Sequence, residues 1–139
     1  MNSVIARLLL APVLLCAAPI VLAEWVKIAG NNNVDAYMDL SLLEKKGTYV
    51  MSWRLYDYRT PQRTSSGKTF SSATTLDAIN CTDRTEAMIS FIQFEQPMGK
   101  GKIVASRKLP RNEWDIMRVA PKSIGEEMNR VACTRYKMW

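Results

Sequence analysis

The chain has 139 residues, with 19 Lys and Arg against 13 Asp and Glu, three cysteines and no histidine. A length of this order holds one domain at most, and the missing imidazole excludes Ser-His-Asp and Cys-His chemistry and any histidine-containing zinc site. The formal net charge of +6 turns attention to acidic partners.

Residues 1–23, MNSVIARLLLAPVLLCAAPIVLA, hold one positive charge at Arg7, no acidic residue and an apolar run from Leu8 to Leu22. With Val21 and Ala23 at the −3 and −1 positions, this is the layout of a secretory signal peptide cleaved after Ala23. A retained anchor is the competing reading, but a run of 15 residues interrupted by Pro12 and Pro19 falls short of the roughly 20 that span a bilayer. Lipid attachment at Cys16 would want a small residue before it, and that position is Leu15. Leader removal leaves 116 residues with 18 basic and 13 acidic side chains, a net charge of +5 and an apolar content of about 41%. This suits one globular domain over residues 24–139 with its own core.

Trp25 to Ala29 and Asp35 to Leu40 read as two short strands joined through Gly30-Asn31-Asn32-Asn33, a run suited to a hairpin turn. Ser41 to Gly47 lacks alternation and ends in Gly, which predicts a turn or one helical turn. Thr48 to Tyr58 is the clearest strand, with Tyr49, Met51, Trp53 and Leu55 forming a strongly apolar side opposite Val50, Ser52, Arg54, Tyr56 and Tyr58. Arg59 to Lys68 has no large apolar side chain and contains Pro61 and Gly67, so it is predicted to be a solvated loop. Strand character returns from Thr69 to Cys81 and from Thr85 to Glu95, the latter with Ile89 and Phe91 on one face and Met88, Ile92 and Phe94 on the other. Apolar residues on both faces predict a central strand covered on both sides. Gln96 to Lys102 is a turn, and Ile103 to Leu109 is another strand. Consecutive strands joined by short turns favour antiparallel pairing. After a short link, Trp114 to Val119 reads as a last extended piece. Ser123-Ile124-Gly125-Glu126 then matches a capping box, followed by Ile124, Met128 and Val131 at helical spacing, and predicts a helix of about ten residues ending near Cys133.

With the leader removed, the cysteine count becomes even. Cys81 and Cys133, in an exported chain, predict a structural disulfide closing a loop of about 53 residues. Asn80-Cys81-Thr82 matches the N-glycosylation acceptor pattern formally, but its middle residue is the one expected to be bridged. The fold class that follows is α+β: a single antiparallel sheet of about six strands, a C-terminal helix packed on one face, and one disulfide.

The ordered set of features resembles the surface-adhesin protein E-like family of small exported bacterial proteins. It comprises Trp25-Val26, Tyr37-x-Asp39, the Trp53 strand ending in Asp57-Tyr58, the strand ending in Cys81, Met98-Gly99-Lys100-Gly101, Pro121-x-Ser123-Ile124-Gly125 and the terminal Cys133. The resemblance covers Trp25 to Cys133 and departs at Asn80, where Asp is expected more often. It implies an antiparallel sheet with a C-terminal helix and an adhesion or binding module, the namesake activity being attachment to host extracellular-matrix proteins.

No motif assigns binding residues, so charge must. Lys100, Lys102, Arg107, Lys108 and Arg111 gather along one hairpin and the link after it. They are either an electropositive patch that meets an acidic partner or an ordinary solvated hairpin whose lysines guard an edge strand. Gly99-Lys100-Gly101 lacks the remainder of a phosphate loop, and the eight methionines are scattered as packing residues rather than as a copper site. Trp25, Trp53 and Trp114 are expected in the core. Glu126 and Glu127 complement a helix N-terminus, which accounts for them without glycosidase chemistry. The reading is therefore an exported, non-enzymatic binding module with no cofactor and no metal. Its partner is a matrix protein, a glycosaminoglycan or an envelope component, with no nucleic acid, no membrane span after leader cleavage, and room for a homodimer. The alternative is a periplasmic structural or enzyme-inhibitory envelope protein that inserts a loop such as Arg59 to Lys68.

Overall fold

The computed structural model describes residues 23–139. The leader read over residues 1–23, including Cys16, therefore lies outside the described residues except for Ala23. The strands are β1 (Trp25–Gly30), β2 (Val34–Asp39), β3 (Glu44–Lys46), β4 (Tyr49–Arg63), β5 (Thr69–Asn80), β6 (Thr85–Phe94), β7 (Ile103–Lys108) and β8 (Met117–Arg118), followed by helix α1 (Ile124–Thr134). They form one antiparallel sheet in the order β1-β2-β4-β5-β6-β7, with β3 added to β4 and β8 to β6. The sheet thus has eight strands rather than about six. Of the two strands beyond six, β8 falls inside the extended piece read over Trp114 to Val119, whereas β3 lies in the segment read as a turn and, at three residues, is too short to show an alternation in sequence.

A larger departure concerns Arg59 to Lys68. β4 does not end at Tyr58 but runs to Arg63, where Gln62 pairs with Phe70 and Arg63 with Thr69. The turn is closed by Thr64 N–H donating to Lys68 O at 2.8 Å and Gly67 N–H donating to Thr64 O at 2.9 Å. Its side chains are mostly exposed, so they carry no hydrophobic period to betray the strand. Pro61 falls within the register shift between Asp57 and Gln62, where no ladder N–H is needed.

The face of β4 that meets the helix is also the opposite of what its apolar pattern suggests. Val50, Ser52 and Arg54 are buried against α1 and its surroundings, in a core with Ala36, Met38, Ile79, Cys81, Met128, Ala132 and Cys133. The Tyr49, Met51, Trp53 and Leu55 face is instead covered by connecting segments. The turn at 97–99 lies over Leu55, Thr74 and Phe94, close enough that a methyl group on Gly99 would touch Leu55 at 3.6 Å. Met98 N–H donates to the Asp57 carboxylate at 2.8 Å, and Gly99 N–H donates to Ser72 Oγ at 2.9 Å. Met98 adopts a left-handed φ of 56°, a conformation these two anchors hold in place. Farther along, the Arg111 guanidinium stacks on Trp114 at 4.1 Å and on Tyr49 at 5.1 Å. Trp25, Trp53 and Trp114 are accordingly half-buried, not core residues.

Helix α1 begins where its caps predict. Ser123 Oγ accepts from Glu126 N–H at 3.1 Å, and the Glu126 carboxylate accepts from Lys122 N–H at 2.7 Å. Met128 is fully buried, with Ile124 and Val131 packed against the same core. Replacing Ser123 by Ala leaves the Glu126 N–H without its side-chain acceptor. The expected cost is about 1 kcal/mol, measurable as a shift of the urea midpoint with an unchanged m-value. The tail wraps back, as Tyr136 Oη donates to Leu43 O at 2.8 Å and Arg84 stacks on the half-exposed Trp139 at 5.0 Å. The predicted disulfide joins Cys81, just after β5, to Cys133 in the last turn of α1.

Candidate functional site

The five cations read as one patch do not share one surface. Lys100 and Lys102 stand at the turn before β7, while Lys108 ends that strand, about 20 Å away at 3.3 Å per residue. Arg107 and Lys108 are successive strand residues, opposite Phe91 and Ser90, and so point to opposite faces. Arg107 is paired with Glu113, and Arg111 is held between Tyr49 and Trp114. Of the five, only Lys102 lines the broad cleft at its end of the sheet.

That cleft, of about 540 Å³, opens between two turns at the same end of the sheet. Antiparallel alternation explains it, since the β4–β5 and β6–β7 turns must fall at one end. Arg63, Gly67, Lys68 and Thr69 form one wall, and Glu95, Lys102, Ile103 and Val104 form the other. Backbone bonds brace both walls: besides the Thr64–Lys68 pair, Glu95 N–H donates to Lys102 O at 3.0 Å and Gln96 N–H to Lys100 O at 3.1 Å. Arg63 and Lys68 were missed in the sequence because their segment was read as an isolated loop. Counting strands between the two basic turns would have brought them together.

A second, more apolar groove of about 290 Å³ lies on the helix-bearing face where α1 does not reach, between Tyr56, Tyr58, Met88 and Phe91. Beside it is a charged network hidden in the core. Arg54, 1% exposed, donates through Nη1 to Glu86 Oε2 at 2.9 Å and through Nη2 to Asn129 Oδ1 of α1 at 2.5 Å, with Nε 3.7 Å from Asp77. Thr75 Oγ1 completes the set by donating to Asp77 at 2.5 Å. Burial opposes the charge of Arg54, but Asp77, Tyr56 and Glu86 outweigh it and hold the guanidinium protonated. Burial pushes the Asp77 carboxyl above its ordinary range, with Arg54 and the Thr75 hydroxyl acting the other way. Tyr56 is pushed up chiefly by burial too. The network ties the helix to the sheet and touches the apolar groove through Thr75 and Tyr56 at its edge.

Asn80, formally a glycosylation acceptor, uses its amide in a local turn. Its Nδ2 donates to Asp83 and its Oδ1 accepts from the N–H groups of Thr82 and Asp83. Among the described residues no helix is long and apolar enough to cross a membrane.

The family model for surface-adhesin protein E matches residues 25–134, the whole sheet and helix. The chain belongs to the surface-adhesin protein E family. No curated protein matches it in sequence. Its fold is similar to that of Haemophilus influenzae protein E in crystal form II, with a TM-score of 0.62 at 12% identity over 84% of this chain and 91% of that one. A structure of protein E from non-typeable Haemophilus influenzae is similar at a TM-score of 0.58 and 12% identity, covering 85% of this chain and 81% of that one. Both carry the family's antiparallel architecture at an identity where only the fold is shared. The adhesin E fold of this chain thus places a helix on one side of the sheet and braced turns on the other.

Proposed function

We propose that this chain is an exported binding module of the adhesin type that holds a host or extracellular macromolecule, without catalysis. The observation that carries this reading is the family match across the entire domain. The grooves support it in kind: the larger is an open cleft between surface turns, and the smaller is mostly aromatic and apolar. Neither gathers a nucleophile with a general base. The exposed cations of the Lys100 to Arg111 segment belong to the proposed contact surface through Lys100 and Lys102.

The long β4–β5 hairpin favours a second reading, an envelope protein that inhibits an enzyme by inserting this arm. One experiment separates the two. Intact cells producing the protein are treated with protease, and residues 24–139, oxidised, are tested for binding to immobilised matrix proteins. The adhesin reading expects digestion on intact cells together with saturable binding. Protection until the outer envelope is permeabilised, with no matrix binding, sinks it in favour of the periplasmic reading.

A further inference from the structure

We infer that the cleft between the β4–β5 and β6–β7 turns is a binding site for a sulfated polysaccharide. The inference rests on the reading of the chain as an exported binding module and names the chemistry of its partner. Arg63, Lys68 and Lys102 line the cleft and Lys100 stands beside it, and all four are exposed. Some exposed cations elsewhere are paired, Lys27 and Arg59 with Asp35, Lys46 with Glu44, Arg107 with Glu113 and Arg130 with Glu127, and others such as Lys45 and Lys108 stand singly among the described residues, outside the lining of the cleft. Among the described residues, no ion pair engages any of the four at the cleft. Arg63 spends one guanidinium nitrogen on Gly67 O at 3.2 Å, which aims the group while leaving its other donors available. The walls come from two separately braced turns, so the cations are spread around an opening. Such an arrangement suits a chain with repeated anionic groups better than a single small anion.

The lining also discriminates among polyanions. It contains no aromatic side chain, so it offers no stacking platform for the bases of a single-stranded nucleic acid. Its apolar part is only Ile103 and Val104, with no pocket for the aromatic or arginine anchor that dominates a protein–protein contact. Glu95 lies among the cations. A carboxylate there accepts hydrogen bonds from hydroxyl groups, which a glycan supplies together with its sulfates and a bare polyphosphate does not.

The test uses oxidised residues 24–139 and heparin as the probe. The variant Arg63→Gln/Lys68→Gln/Lys102→Gln is compared with the charge-matched Lys45→Gln/Lys46→Gln/Lys108→Gln, whose sites lie on β3 and at the far end of β7. Exposed charge contacts are individually weak, but losing three together is expected to weaken heparin binding about tenfold at 0.15 M salt. The control should stay within about twofold of the parent. Because every substituted side chain is exposed, both variants should keep the parental melting transition. Fully desulfated heparin should fail to bind the unmodified protein, a result that needs no variant. Equal weakening in both variants reduces the effect to net charge and overturns the site. Binding of desulfated heparin, or no binding of heparin at all, overturns the ligand class. Matrix binding and surface exposure measured on the same preparation remain separate, so failure here leaves the binding-module reading standing on its own test.

Discussion

Replacing Cys81 and Cys133 together by alanine is expected to lower the unfolding free energy by about 4 kcal/mol. The two cysteines are 52 positions apart, so the bridge denies the unfolded chain a large set of conformations, and a loop of that length gives this magnitude in the chain-entropy account. The total stability of a domain this size is roughly 5–15 kcal/mol, so a large share of it hangs on one bond. The location sharpens the expectation. Cys81 is 4% and Cys133 0% exposed, and the bond fastens the last turn of α1 to the end of a central strand. Without it, the helix is held on the sheet by Met128, Ala132 and the Asn129–Arg54 bond. Urea unfolding of the oxidised parent and the double alanine variant, followed by far-UV circular dichroism, measures the difference. A loss below about 1 kcal/mol would show that the bond does not constrain the unfolded chain as this loop length requires.

Arg54→Met is expected to cost about 3–5 kcal/mol at neutral pH. Methionine fills much of the same space but leaves Asp77, 7% exposed, and Glu86 without the cation that faces both. It also leaves Asn129 Oδ1 without its donor. The cost should depend on pH with a definite sign. Burial raises the Asp77 pKa in the folded protein, with Arg54 the leading opposing influence. A carboxyl with a raised folded pKa favours the folded state at acid pH, and that contribution is lost as pH climbs through the folded value. Removing Arg54 raises the folded value further, so the penalty concentrates at neutral pH and shrinks as pH falls toward the ordinary carboxylate range. Parent and variant unfolded in urea at pH 7 and pH 4 should therefore differ less at pH 4. A penalty that is flat across this interval would mean that lost packing, rather than an uncompensated carboxylate, accounts for it. Adding Asp77→Asn to the variant should recover stability at pH 7, because the buried charge is then gone.

Arg54 also marks where sequence reading stops. Alternation in Thr48 to Tyr58 identifies a strand and its two faces, but both faces are covered, so hydrophobicity alone selects the wrong one for the helix. The polar members Ser52 and Arg54 are buried, the latter because Asp77, Glu86 and Asn129 arrive from 23, 32 and 75 positions away. The same limit divided the basic residues. Lys100 to Arg111 are close in sequence, yet strand alternation and local pairing with Glu113, Tyr49 and Trp114 disperse them. Lys102 instead meets Arg63 and Lys68 from a hairpin arm whose polar side chains concealed its strands.

What the sequence determined by itself was local or arithmetic. The Ser123 cap, the stripe of α1, the glycine turns, the antiparallel order and the Cys81–Cys133 pair are written in residue types at short spacing or in an even count of two. The tertiary structure decided which face of β4 meets the helix, which tryptophans stay half-exposed and which cations share a cleft. Those outcomes depend on what covers each surface, and the covering segments come from distant parts of the chain, beyond the reach of any local period.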